Sequence, residues 1–156
     1  LYATREGLRW AGLGYPVAKL SPSLIRHGLR CTSTAQELRC EFPEGVHTER
    51  DLIWAERQAG KPLASAKLGT RPDGGPRLHR PDLVVITEAG VIAVEVELTP
   101  KAPRRLEGIV RGWRRSPWVE EVRYYCEPGA TRRAVERAIL ATRSQERVRV
   151  FEVVAR

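Results

Sequence analysis

The sequence predicts an α/β fold: a mixed central sheet flanked by helices, preceded by a helical N-terminal extension. Three observations predict it. Two β-rich segments, 82–87 and 91–98, are separated only by the turn Glu88-Ala89-Gly90. Helical and strand patterns then alternate to the end of the chain, as in a sheet covered on both faces. The 156 residues, 42% hydrophobic and 29% charged, suffice for one domain with its own core plus a small appendage.

The extension covers 1–46. A short helical pattern at 4–11 leads into Gly- and Pro-containing chain. Ser21-Pro22 starts a helix with Pro at the first helical position, Leu24, Ile25 and Leu29 on its apolar side, and an end near Leu38 before Pro43. The main domain, 47–156, opens with a helix capped by Thr48, with Asp51 at the reciprocal position and Leu52 and Ile53 on the buried stripe. After Gly60, 63–68 is a strand candidate, and 69–78, rich in Gly, Pro and Arg, reads as a loop. The two strong strands follow. Pro103 opens a helix whose Leu106, Ile109, Val110 and Trp113 recur at i, i+3, i+4, i+7. A strand at 119–126, a helix at 131–143 with Ala134, Val135, Ala138 and Ile139 inside, and a β-branched strand at 148–154 complete the chain. From residue 48 the order is αβββαβαβ.

The net charge is +8 and the isoelectric point about 10.0. A basic balance of this size suggests a polyanionic partner, most simply nucleic acid. Only Lys19, Lys61, Lys67 and Lys101 among the 27 basic residues are lysines, and Arg dominance with abundant Ala, Gly and Pro also follows from a GC-rich genome. Cys31, Cys40 and Cys126 lack metal-finger spacing and read as reduced, mostly buried thiols. No apolar run approaches a membrane span and no signal peptide is visible, which predicts a cytoplasmic protein without a membrane partner. Leu1 as first residue and the absence of Met predict a piece of a longer chain. A serine or cysteine hydrolase is disfavoured, because there is no nucleophile elbow and His27, His47 and His79 form no evident constellation. The Gly-rich stretch 69–75 lacks the Gly-Lys-Ser/Thr ending of a phosphate loop.

The acids of the central hairpin carry the chemistry. Side chains alternate along a strand, so Ile92, Val94, Val96 and Leu98 share an apolar face while Ala93, Glu95 and Glu97 share the other. Flanked by Val and Ile, that strand reads as central. A two-residue loop at Glu88-Ala89 pairs Thr87 with Gly90 and brings Asp82 opposite Glu95; a Gly90 bulge moves the register by one place. Opposed side chains lie roughly 5 Å apart at Cβ, where like charges repel and need a counter-charge. An all-oxygen set suits Mg²⁺ or Mn²⁺; neighbouring arginines are the competing answer. Glu49, on the first turn after Thr48, falls on the stripe of Leu52 and Ile53, with Glu56 further along; it either reaches the rim of this cluster or serves the helix dipole.

Pro81-Asp82, twelve residues, then Glu95-Val96-Glu97 resembles the PD-(D/E)XK nuclease superfamily, whose restriction-endonuclease-like core has the order αβββαβ. The resemblance implies that Asp82 and Glu95 bind the metal, that the Val96 carbonyl is a further ligand, and that Glu49 completes the site. The family's usual Lys is replaced by Glu97, and Lys101 is the nearest substitute. More narrowly, His79-Arg80-Pro81-Asp82-Leu83, then the run from Val94 to Lys101, with Ser21-Pro22 to His27 before it, resembles replication-relaxation type proteins of actinobacterial plasmids and integrative elements. Those begin with a winged helix-turn-helix, which the upstream part would supply. The resemblance implies a Mg²⁺- or Mn²⁺-dependent deoxyribonuclease, hydrolysing phosphodiester bonds in replication or transfer of a mobile element. Its catalytic group is Asp82, Glu95, Glu97, Lys101 and Glu49, and its partners are DNA, with a homodimer and mobile-element replication or transfer proteins also compatible. Arg104, Arg105 and Arg111, on the helix after the site, and His79, before it, are the DNA-contact candidates, set against a merely solvated helix face and an exposed loop histidine. The alternatives are an inactive nuclease-fold DNA-binding module, or an interaction domain to which Trp10, Trp54, Trp113 and Trp118 give material, although most of these read as core.

Overall fold

The computed structural model describes residues 4–14, 17 and 21–153. The elements are α1 (Arg5–Trp10), α2 (Pro22–Glu41), β1 (Val46–Thr48), α3 (Glu49–Ala59), β2 (Ala66–Thr70), β3 (Pro76–His79), β4 (Leu83–Thr87), β5 (Gly90–Glu97), α4 (Pro103–Arg114), β6 (Glu121–Cys126), α5 (Ala130–Thr142) and β7 (Val148–Glu152). The main sheet has the order β1-β4-β5-β6-β7. β1, β4 and β5 pair antiparallel, whereas β6 and β7 join in parallel through the crossovers of α4 and α5. The sheet is thus mixed, and β5, the strand with the longest apolar pattern, occupies its middle.

Alternation along β5 sorts the molecule into two cores. Leu83, Val85, Ile92, Val94 and Val96 face α2, packing with Ala35 and Leu38. Ala93, Val122, Tyr124 and Cys126 face the other way, against Leu106, Ile109, Val110 and Trp113 of α4 and Val135, Ala138 and Ile139 of α5. Burial of each such aliphatic side chain contributes about 1.5–3 kcal/mol against chain entropy. A smaller cluster of Leu52, Ala64 and Val84 lies under α3. At the start of α3, Thr48 and Asp51 form the expected reciprocal cap. α2 lies in the segment assigned to the extension, yet it forms one wall of the sheet's core.

Several expectations are corrected. Residues 69–78 are not a loop throughout: β2 and β3 make a separate two-stranded hairpin. Four strands therefore lie between α3 and α4 rather than three, and β1 precedes them. The hairpin buries Ala66 against α4 while its other side is wet, so its sequence lacks an apolar alternation. Leu24, Ile25 and Leu29 are exposed, because the face of α2 that meets the sheet carries Ala35 and Leu38, with His27 and Cys31 a turn or two before them. Of the tryptophans, Trp113 is fully buried and Trp118 partly, whereas Trp10 and Trp54 are exposed. Only Cys126 of the three free thiols is buried; Cys40 is exposed and Cys31 lies between. The end of the C-terminal strand pattern, Val154, lies outside the described residues.

Candidate functional site

The turn chemistry sets the register, and the register sets the site. Thr87 pairs with Gly90, and the pairing holds to Leu83 opposite Val94. Asp82 and Glu95 come next along the two segments, beyond the last regular pair. There the ladder becomes irregular: Asp82 N–H donates to Val94 O at 3.0 Å, and Val96 N–H donates to Asp82 Oδ2 at 2.8 Å. The Asp82 carboxylate thus replaces the missing strand partner of Val96. The Asp82 carbonyl accepts the Glu49 N–H at 3.0 Å, which ties the start of α3 to the same point.

Glu95 and Glu97 are buried, 2% and 3% exposed, on the side of β5 that faces α4. A carboxylate this buried needs donors. Glu95 Oε1 accepts from the Trp113 indole at 2.8 Å and lies 2.7 Å from His79 Nε2. His79 ends β3 and stands edge-on to Trp113, so it is a strand residue held at the acid and not an exposed loop histidine. Glu97 is ion-paired with Lys101, four residues on. Burial depresses the Lys101 ammonium below its ordinary value, and the charges of Glu95 and Asp82 oppose that shift, so Lys101 shares their field.

Glu49 is half-exposed and so stands at the rim, not on the buried stripe. Burial and then the charge of Asp82 push its carboxyl up, and Arg80 is 4.0 Å away. Arg80 is chiefly engaged with Glu56, through bonds of 3.0 and 2.7 Å. Among the described residues no arginine is ion-paired with Asp82, Glu95 or Glu97. Arg104, Arg105 and Arg111 are exposed on α4, and the charge of Arg105 reaches Lys101.

Sequence reasoning missed three participants. His27, on α2, places Nε2 3.1 Å from Val96 O and 3.5 Å from Asp82 Oδ2. The hydrogen bond to Asp82, then that to Cys31, pushes the imidazole up to about 11. Cys31 follows one turn later, its Sγ 3.5 Å from His27 Nδ1; burial pushes its thiol up. The i, i+4 spacing of His27 and Cys31 was the available signal. Tyr124, paired with Glu95 across β5 and β6, is the third. Its hydroxyl is the one buried side-chain polar atom among the described residues without a hydrogen-bond partner. Burial and then the charge of Glu95 push it well above its ordinary value.

Among the described residues, Asp82, Glu95, Glu97 and Glu49 do not supply three ligand atoms within 4.8 Å of one another, whereas His27, Cys31 and Asp82 do. A cavity of about 730 Å³ lies at the other end of the hairpin, lined by Phe42, Ile86, Thr87 and Ile92 among others, and contains none of the three acids. No helix among the described residues is long and apolar enough to cross a membrane. In comparisons with known proteins, the chain matches no family model, no curated protein and no solved structure.

Proposed function

We propose that the chain is a Mg²⁺- or Mn²⁺-dependent deoxyribonuclease of PD-(D/E)XK type, with a restriction-endonuclease-like core, acting in the replication or transfer of a mobile element. What supports this function is Lys101, ion-paired with Glu97 within the field of Glu95 and Asp82, beside an Asp82 carboxylate that binds the Val96 N–H, with no arginine among the described residues ion-paired with any of the three acids. Two buried carboxylates on a central strand cost folding free energy, and such groups collect at functional sites.

The donor set fits a hard cation. Asp82 and Glu95 offer oxygen alone, with Glu49 at the rim and the Val96 carbonyl behind the His27 ring, 3.1 Å from Nε2. The described bonds on Glu95 fall on Oε1 and those on Asp82 on Oδ2, leaving the second oxygen of each for coordination. The orphaned Tyr124 hydroxyl, within the field of Glu95 and Asp82, suits a site completed by water. A bound Mg²⁺ or Mn²⁺ supplies polarisation of a phosphoryl oxygen and a more acidic water. Trp113 and His79 orient Glu95, while Lys101 and Glu97 orient or deprotonate the attacking water. Arg104, Arg105 and Arg111, exposed on α4, neutralise DNA phosphates.

The test is plasmid and branched DNA incubated with Mg²⁺ or Mn²⁺. Asp82→Ala and Glu95→Ala are each expected to reduce cutting by about 10²-fold or more, the scale of losing one electrostatic partner of a transition state. Undiminished cutting by both variants would sink the assignment.

Two observations favour a second function, an inactive nuclease-fold DNA-binding or protein-interaction module. Glu97 stands at the family's Lys position with Lys101 folded onto it, and the His27 ring caps the Val96 carbonyl. Salt-sensitive DNA binding without metal-dependent cutting is its signature.

A further inference from the structure

We propose that His27, Cys31 and Asp82 form a site for a softer transition ion, Zn²⁺ in the first instance, separate in chemistry from the oxygen-ligated centre. One ligand atom of each of the three residues lies within 4.8 Å of the other two. His27 Nε2 is 3.5 Å from Asp82 Oδ2 and 3.8 Å from Cys31 Sγ. Bonds of about 2.0–2.3 Å from Zn²⁺ to nitrogen, oxygen and sulfur give tetrahedral edges of about 3.3–3.6 Å between ligands. The triangle therefore needs to close by only a few tenths of an ångström along the edges measured.

The backbone presets this arrangement. His27 and Cys31 are one turn apart on α2, so they share a helix face. That face lies over Val96 of β5, and Asp82 is pinned beneath by the Val96 N–H. A thiolate, an imidazole and one carboxylate make a borderline-soft set, which selects Zn²⁺ over Mg²⁺. All three side chains are partly buried, with His27 37% exposed, so the fourth position opens to water. Binding forms one bond each from the ion to sulfur, nitrogen and oxygen. It releases the thiol proton of Cys31 and the Nε2 proton of His27 to solvent, and no electron moves.

This site does not depend on the nuclease assignment, and its test is independent of cutting. Co²⁺, a spectroscopic stand-in for Zn²⁺, is titrated into the chain carrying Cys40→Ser, which removes the exposed thiol. A thiolate-to-cobalt charge-transfer band saturating at one ion per chain is expected, and Zn²⁺ should abolish it by displacement. Cys31→Ser should remove the band and weaken Zn²⁺ binding by about 10–100-fold or more, as should His27→Gln. Glu95→Ala should leave the band intact even where it abolishes cutting. No band in the parent, or a band that survives Cys31→Ser, overturns the proposal. Loss of the band in Glu95→Ala would place the ion among the hairpin acids and overturn it equally.

Discussion

Asp82 meets two claimants at once. Its Oδ2 accepts the Val96 N–H and faces the His27 ring, so the carboxylate ends a strand and holds a cationic side chain together. The raised His27 value has a consequence for stability. The imidazole titrates at 6.5 in the unfolded chain and at about 11 in the folded one, first through its bond to Asp82 and next through Cys31. A group whose folded value is raised contributes stability that is complete below the unfolded value. That contribution is lost as pH climbs through the folded one. With a chelator present to exclude metals, the urea midpoint is expected to fall steadily as pH is raised from 6.5 to 11. His27→Gln should flatten that fall while leaving the acid limb in place. A pH profile identical in the two proteins would show that the ring is not held as a cation. The acids were legible in the sequence because strand alternation alone assigns Glu95 and Glu97 to one face. His27 was not, because nothing local says that α2 crosses the end of β5.

The β4–β5 hairpin was the most legible element. Two turn residues fix which side chains oppose each other, and the observed Thr87–Gly90 register follows from them. β2 and β3 were illegible for the converse reason. They lean on α4 from one side only, so Lys67, Thr70 and Arg77 carry no apolar period. Glycines make the packing of elements testable with opposite signs. A Cβ at Gly45 would sit 2.3 Å from the Ile86 carbonyl oxygen, at the place where Ile86 N–H bonds Gly45 O across to β4. Backbone cannot step aside cheaply, so Gly45→Ala is expected to cost about 1–3 kcal/mol in denaturant unfolding. Gly108, inside α4, meets nothing within 4 Å, and there Ala should stabilise by up to about 1 kcal/mol through helix propensity. Destabilisation at Gly108 would mean that α4 packs more tightly than its described contacts.

For the whole molecule, the net charge of +8 does not say which arginines can meet a polyanion. Several arginines are engaged internally: Arg80 with Glu56, Arg123 with Glu121 and Glu41, Arg132 with Glu136 and Glu152, and Arg147 with carbonyls of Arg114 and Ser116. Arg114 bonds the Thr142 carbonyl and joins α4 to α5. Arg104, Arg105 and Arg111 remain exposed on the helix that leaves the acidic centre, where a phosphate backbone lying over Asp82 and Glu95 would pass. Each duplex phosphate neutralised releases counterions, which adds about 0.9 to the slope of log affinity against log salt. Replacing all three with Gln should therefore lower that slope by up to about 2.7 and weaken binding to unrelated sequences alike. The measurement is a salt titration of duplex binding by the parent and the triple variant, with a chelator present so that cutting does not intervene. An unchanged slope would make this helix face a solvated surface and nothing more. Any DNA affinity would then have to come from arginines elsewhere, away from Asp82 and Glu95.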